Sequence, residues 1–148
     1  MKGFILCITA VSVSLASCSQ DIPAGKVPSV VQNTLQSKFS NPVNVEWEKI
    51  DDLFEAEFDL NNTDHKAHID PSGKLIIYKS NIKSAELPAP ITDVISREHS
   101  GYKIDDADKL EKDGMTYYQV ELDATGKQDK LLVFTSDGKA AQNITYMK

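Results

Sequence analysis

Glu55, Glu57 and Asp59 recur at alternate positions, Glu46 and Glu48 do the same in a neighbouring run, and Asp105, Asp106 and Asp108 crowd a third. Paired carboxylates are what a glycosidase needs as general acid and base, and clustered ones can hold calcium. The same spacing also describes the wet face of a strand, and no calcium loop with its glycine and closing Glu accompanies it. The three histidines are His65, His68 and His99. His65 and His68 stand three apart in a strand-like run, where odd spacing sends side chains to opposite faces, so they do not chelate one metal and read as solvated strand residues. His99 sits near a helix end, where a positive charge is favourable. The sequence contains no Gly-x-Ser-x-Gly elbow, Gly-rich phosphate loop or His-Glu-x-x-His helix. The expectation is a protein that is not an enzyme and uses no metal or cofactor.

The elements that position these residues follow from two periodicities. Val27, Val31, Leu35 and Phe39 recur every four residues, with Gln32, Gln36 and Lys38 on the other side, which predicts an amphipathic helix opened by Pro28. Val43, Val45 and Trp47, then Phe54, Ala56, Phe58 and Leu60, alternate with polar residues and predict strands with one dry face; Trp47 belongs to the core. Ala67 and Ile69, the turn Asp70-Pro71-Ser72-Gly73, and Leu75 and Ile77 complete a four-stranded meander.

The order then repeats. Val27, Pro28, Val31 and Leu35 fall on Leu87, Pro88, Ile91 and Ile95 at an offset of 87 − 27 = 60, and Phe54 to Asp59 falls on Tyr118 to Asp123 at 64. The growing offset places small insertions in loops. Strands are expected at Ile104 to Leu110, Tyr117 to Leu122, Lys130 to Phe134 and Ala140 to Tyr146, while Pro90 and His99 suggest a second helix that starts later and ends less firmly. The predicted architecture is α+β: a tandem repeat of a helix plus a four-stranded antiparallel meander, residues 27–86 and 87–148. Both helices pack on one face of one sheet or of two adjoining sheets, and the opposite face is bare. About 120 ordered residues suffice for one core, whereas each copy alone is marginal, so residues 27–148 form one structural domain.

Ahead of the repeats lies an address. Met1-Lys2, the apolar run Phe4 to Leu15 and the small residues Leu15-Ala16-Ser17 form a signal peptide over residues 1–17. Leu15-Ala16-Ser17-Cys18 matches a bacterial lipobox, which makes Cys18 the lipidation site and residues 18–26 a flexible tether. Cys7 leaves with the signal, so the mature chain keeps one cysteine and forms no internal disulfide. Cleavage removes Lys2 and no acid, taking the formal charge from −6 to −7. That acidity excludes nucleic acid as the main partner; acyl chains supply the membrane attachment.

Tyr117, Leu132 and Phe134 alternate with Tyr118, Leu131 and Val133 and are assigned to the exposed face. With Glu55 and Glu57 they form the candidate protein-binding face, apolar rings among acids. The competing expectation is a strand covered on both sides, or a register wrong by one.

The succession Val27-Pro28, Phe39, Val45-x-Trp47, Phe54-x-Ala56-x-Phe58 and Gly73-Lys74-Leu75 returns as Leu87-Pro88, Ile104, Tyr118-x-Val120-x-Leu122 and Gly138-Lys139. It resembles the PepSY-like family of exported bacterial proteins, which shares its fold with the beta-lactamase inhibitory proteins. His99-Ser100-Gly101-Tyr102 departs from the Phe39-Ser40-Asn41-Pro42 pattern. The resemblance implies a non-catalytic exported module in the envelope of a Gram-negative bacterium, membrane-anchored and facing the periplasm or cell surface, that binds or restrains an unidentified envelope protein or peptide. It does not carry beta-lactamase inhibition, because the inhibitory loops have no counterpart here. The alternative expectation is a sensor or carrier of a small ligand or cation on the acidic strand faces.

Overall fold

The structure, a computed structural model, describes residues 19–142, 144 and 147; the signal segment and Cys18 lie outside the described residues. Among the described residues, eight antiparallel strands form one sheet in chain order: β1 Ser19–Asp21, β2 Val43–Ile50, β3 Leu53–Leu60, β4 Thr63–Ile69, β5 Leu75–Asn81, β6 Lys103–Lys112, β7 Met115–Asp123 and β8 Lys130–Thr135. Helix α1, Ser29–Lys38, follows β1, and α2, Ala89–Glu98, follows β5. Pro28 and Pro88 precede the helices at φ −56° and −54°, the value a first turn needs. The two-residue turns Asn61-Asn62 and Asp113-Gly114 both take positive φ, as the twist of a tight hairpin requires of its central residues.

The duplication is visible, but its phase differs from the helix-plus-four-strands expectation. Each unit is a strand, a 3-10 turn, a helix and three strands: β1, Ala24–Lys26, α1 and β2 to β4, then β5, Ser84–Glu86, α2 and β6 to β8. The sequence pattern missed this because β1 has only three residues, too few to show an alternation. The supposed tether is therefore folded in part: Ser19, Gln20 and Asp21 pair with Ile50, Lys49 and Glu48, and the Ile22 amide donates to the Trp47 carbonyl. Helix α2 also starts level with α1, 89 − 29 = 60 residues later, because Pro90 lies within the first turn and removes no helical hydrogen bond.

Two apolar clusters lie between helices and sheet. Val31 and Leu35 of α1 pack on Trp47, Phe54, Ala56, Phe58, Ala67 and Ile69, and Ile91 and Ile95 of α2 pack on Ala107, Val120, Leu122 and Phe134. A third cluster, on the opposite face, joins Ile77, Leu110, Tyr117 and Val133 to Met147, with Ala141 and Ile144 beside it. That face is thus not bare as expected: over β5 to β8 Ala141, Ile144 and Met147 of the C-terminal segment cover it. Of the strand expected at Ala140 to Tyr146, residues 143, 145 and 146 lie outside the described residues; the described part makes a bridge between Phe134 and Ala140 and a bond from the Ala141 amide to the Val133 carbonyl.

Candidate functional site

Strand pairing fixes which side chains share the face opposite the helices. One row across β2 to β5 reads Glu46, Glu57, Lys66, Lys79, and the next reads Glu48, Glu55, His68, Ile77. Across β5 to β8 a further row reads Asn81, Asp108, Gln119, Val133. The first half of the face is charged, and the second carries a polar strip beside the third apolar cluster.

Glu55 is the centre of the first half. It was expected on a wet face but is 5% exposed, because His68 and Lys66 reach across from β4. His68 Nε2 lies 2.5 Å from Glu55 Oε2, and Lys66 Nζ lies 3.6 Å from Glu55 and 2.9 Å from Glu57. Burial raises the Glu55 carboxyl pKa, but the His68 hydrogen bond and the charges of Lys66 and His68 outweigh that and hold it below its ordinary value. The carboxylate is occupied as an ion-pair partner. Glu57 is exposed, as is Glu46.

In the second half the Gln119 side chain, 4% exposed, pairs with the backbone of Met147 at two points. Gln119 Nε2 donates to the Met147 carbonyl at 2.8 Å, and the Met147 amide donates to Gln119 Oε1 at 3.1 Å. Lys79 Nζ donates to the same carbonyl at 3.2 Å and lies 3.3 Å from Asp108. Burial pushes the Asp108 carboxyl up, against the pull of Lys79 and with a further push from Asp106.

The expected aromatic patch is divided. Tyr118 pairs with Phe134 and Val120 with Leu132, so Leu132 and Phe134 point toward α2, and Phe134 is core at 3% exposure. Tyr117 does point away from the helices, but it is 8% exposed, packed in the cluster that contains Met147. The parity of β8 was read one residue out because Leu131, Leu132, Val133 and Phe134 are all apolar, as a strand covered on both faces requires. The sequence pattern does not single out Gln119, Lys66 or Lys79, and it reads His68 as a solvated strand residue; the alignment of Gln119 with Glu55 at offset 64 is the signal that links the two buried positions.

His65 and His68 do point to opposite faces, but neither is solvated. His65 stacks between Phe58 and Tyr78 on the helix side, with centroid separations of 5.6 Å to each, and its Nδ1 lies 2.7 Å from the Tyr78 hydroxyl. Among the described residues, no group of three or more His, Cys, Asp or Glu is placed to hold a metal ion, and no helix is long and apolar enough to cross a membrane.

A single antiparallel sheet of eight strands with two helices on one face, built from two strand-helix-strand units, defines a BLIP-like fold. The chain belongs to the PepSY-like family: the model described as "Putative beta-lactamase-inhibitor-like, PepSY-like" matches twice, over residues 15–77 and 77–141, in the phase in which β5 opens the second unit. A DUF2874 family protein from Bacteroides uniformis is similar in fold, with a TM-score of 0.72 and 19% identity over 78% of this chain and 86% of that one. So is a protein from Bacteroides eggerthii described as "putative periplasmic", with a TM-score of 0.74 and 16% identity over 80% and 88%. A BLIP-like protein from Bacteroides fragilis superposes with a TM-score of 0.66 and 17% identity over 78% and 83%. No curated protein matches the chain.

Proposed function

We propose that this chain is a non-catalytic lipoprotein module of the cell envelope, anchored through Cys18, that binds a protein or peptide partner on the sheet face turned away from the helices. The supporting observation is uneven cover. The helices take one face and the C-terminal segment takes the β5 to β8 half of the other. The β2 to β4 half presents Glu46 and Glu57 to solvent around half-buried Lys66. Its excess of acid favours a partner segment carrying Lys or Arg, with charge setting encounter rate and register more than affinity.

Catalysis draws no support from the buried carboxylates, since Glu55 is paired with His68 and Lys66 and Asp108, more buried still, with Lys79. The cation-carrier reading is weakened in the same way, because Glu55 and Glu57 already share Lys66.

The test is a photo-crosslinking residue at position 57 in the full chain in its own cells, with position 36 on the exposed side of α1 as control. An adduct to one envelope protein at 57 and not at 36 supports the reading. No adduct at 57, or equal adducts at both, removes it.

A further inference from the structure

The contact between Gln119 and Met147 has the form of peptide recognition. A primary amide that donates to a carbonyl and accepts from the amide of the same residue reads backbone and is indifferent to side chain. Lys79 reinforces it at the same carbonyl. Side-chain selection falls to the adjoining apolar floor, where Ile77, Leu110, Tyr117 and Val133 bury the Met147 side chain to 1% exposure. Beside it lies a recess of about 340 Å³ walled by Asp106, Asp108, Glu121 and Leu131 as well as Gln119 and Lys79, so flanking residues meet an acidic rim.

The segment that fills this place is separate from the repeated fold. The second family match ends at residue 141, so Ile144 and Met147 lie past it. In the first unit the chain leaves the corresponding turn, Ser72-Gly73, and continues as β5 alongside β4. After Asp137-Gly138 it makes one bridge, Phe134 to Ala140, and then crosses to the far face. The described part of the tail therefore holds its seat by an apolar anchor, three hydrogen bonds at Met147 and one from the Ala141 amide to the Val133 carbonyl, with a single bridge where the first unit has a ladder.

We propose that the face over β5 to β8 is a binding site for a peptide segment bearing a methionine- or leucine-sized anchor and neutral or basic neighbours, and that Ala141, Ile144 and Met147 occupy it in cis and keep it closed. The proposal rests on the reading of this side of the sheet as a protein-binding surface, and it names the partner's chemistry and the gate. A partner must displace the tail, so its apparent affinity is lowered by the fraction of molecules whose site is closed.

The probe is a fluorescein-labelled peptide with the sequence of residues 141–148, added to the full chain carrying Met147→Asp, whose tail no longer fits the apolar floor. Met147→Ala, which removes the anchor without introducing a charge, serves where the first variant fails to fold by circular dichroism. The peptide is expected to bind the variant at least about tenfold more tightly than the wild-type chain. Adding Gln119→Leu, N-methylating the peptide's methionine amide, or changing that methionine to Asp should abolish binding, while changing it to Leu should preserve it. The proposal is overturned if the folded variants do not bind the peptide, bind it no better than wild type, or bind it equally well with Gln119→Leu. It is also overturned if the wild-type chain is a dimer that Met147→Asp splits, since the tail would then belong to a neighbouring copy. The crosslink at position 57 reads the other half of the face, so either result can fail without the other.

Discussion

Glu55 and Gln119 occupy the same place in the two units, and one buries a carboxylate where the other buries an amide. Glu55 stands between Glu48 and His68 on its neighbouring strands; Gln119, 64 residues later, stands between Asp108 and Val133. A buried carboxylate demands positive partners, and His68 and Lys66 supply them from β4. A buried primary amide demands a donor for its oxygen and acceptors for its N–H groups; with Val133 in place of a histidine the Met147 backbone provides the donor and one acceptor, and Asp108 accepts the other N–H at 3.3 Å. The substitution of amide for acid thus accounts for the tail crossing one half of the face.

Removing the Glu55 carboxylate leaves His68 buried beside Lys66 without its acceptor. Glu55→Ala should lower stability by about 3 kcal/mol, the cost of breaking a buried pair by deleting one partner. Glu55→Leu combined with His68→Leu should recover most of that loss, since the second unit already carries an aliphatic residue at the position of His68. Urea denaturation of the two variants decides it; equal losses would show that the pair does not act as a unit. The same carboxyl, held below its ordinary value in the folded state, contributes stability that is full above its unfolded pKa of about 4.3 and lost as pH falls through the folded value. Glu55→Gln should therefore flatten the acid limb of the stability profile relative to wild type.

Phe134 and Tyr117 fall under different constraints despite having been read as one patch. Phe134→Ala empties a site beneath α2 and should cost about 3 to 5 kcal/mol. Tyr117→Phe should cost under about 1 kcal/mol, because among the described residues the hydroxyl reaches only the Met115 sulfur, at 3.5 Å. Thermal or urea melts of the two variants separate the readings. A fully stable Phe134→Ala would mean that β8 presents its other face to the helix.

The helices, seven of the strands and the tight turns were legible because each has a local cause: a four-residue or two-residue period, a proline opening a helix, a turn pair that tolerates positive φ. Trp47 was placed in the core for the same reason. What was not legible depends on partners distant in sequence. The solvated reading of Glu55 failed because period two assigns a face and says nothing of what reaches across it from the neighbouring strand. Leu132 and Phe134 were turned the wrong way because the cover on the far side of β8 comes from Ala141, Ile144 and Met147, spaced three apart with no strand alternation to announce them.

Glu57 separates function from folding. Its side chain is half exposed and its contact with Lys66 is a rim ion pair at 2.9 Å, so Glu57→Lys should change stability by less than about 1 kcal/mol. The reversal should nonetheless abolish the crosslink to a basic partner segment when the photoreactive residue is moved to position 46, the exposed neighbour across the strand pair. A melt and a crosslinking gel on the same preparation give both readouts; an undiminished adduct would show that charge on this half of the face plays no part in capture.

The turns after β4 and β8 brace the helices through two glycines. At Gly73, φ is +87° and an added Cβ would lie 2.7 Å from the Val30 Cγ2 atom; at Gly138, φ is +81° and it would lie 2.6 Å from the Pro90 carbonyl oxygen. Val30 and Pro90 are themselves equivalent, 60 residues apart, so the duplication has preserved a turn pressed against the first turn of each helix. A side-chain methyl can rotate away, whereas a carbonyl cannot move without moving α2. Gly138→Ala should therefore cost more than Gly73→Ala, about 3 against about 2 kcal/mol, strain and positive φ together. Gly114→Ala, at φ +76° with nothing within 4 Å, isolates the backbone part at about 1 kcal/mol. Denaturant midpoints for the three variants should fall in that order, and Val30→Ala should ease Gly73→Ala and leave Gly138→Ala unchanged. Equal losses at all three glycines would mean that the helices do not rest on these turns.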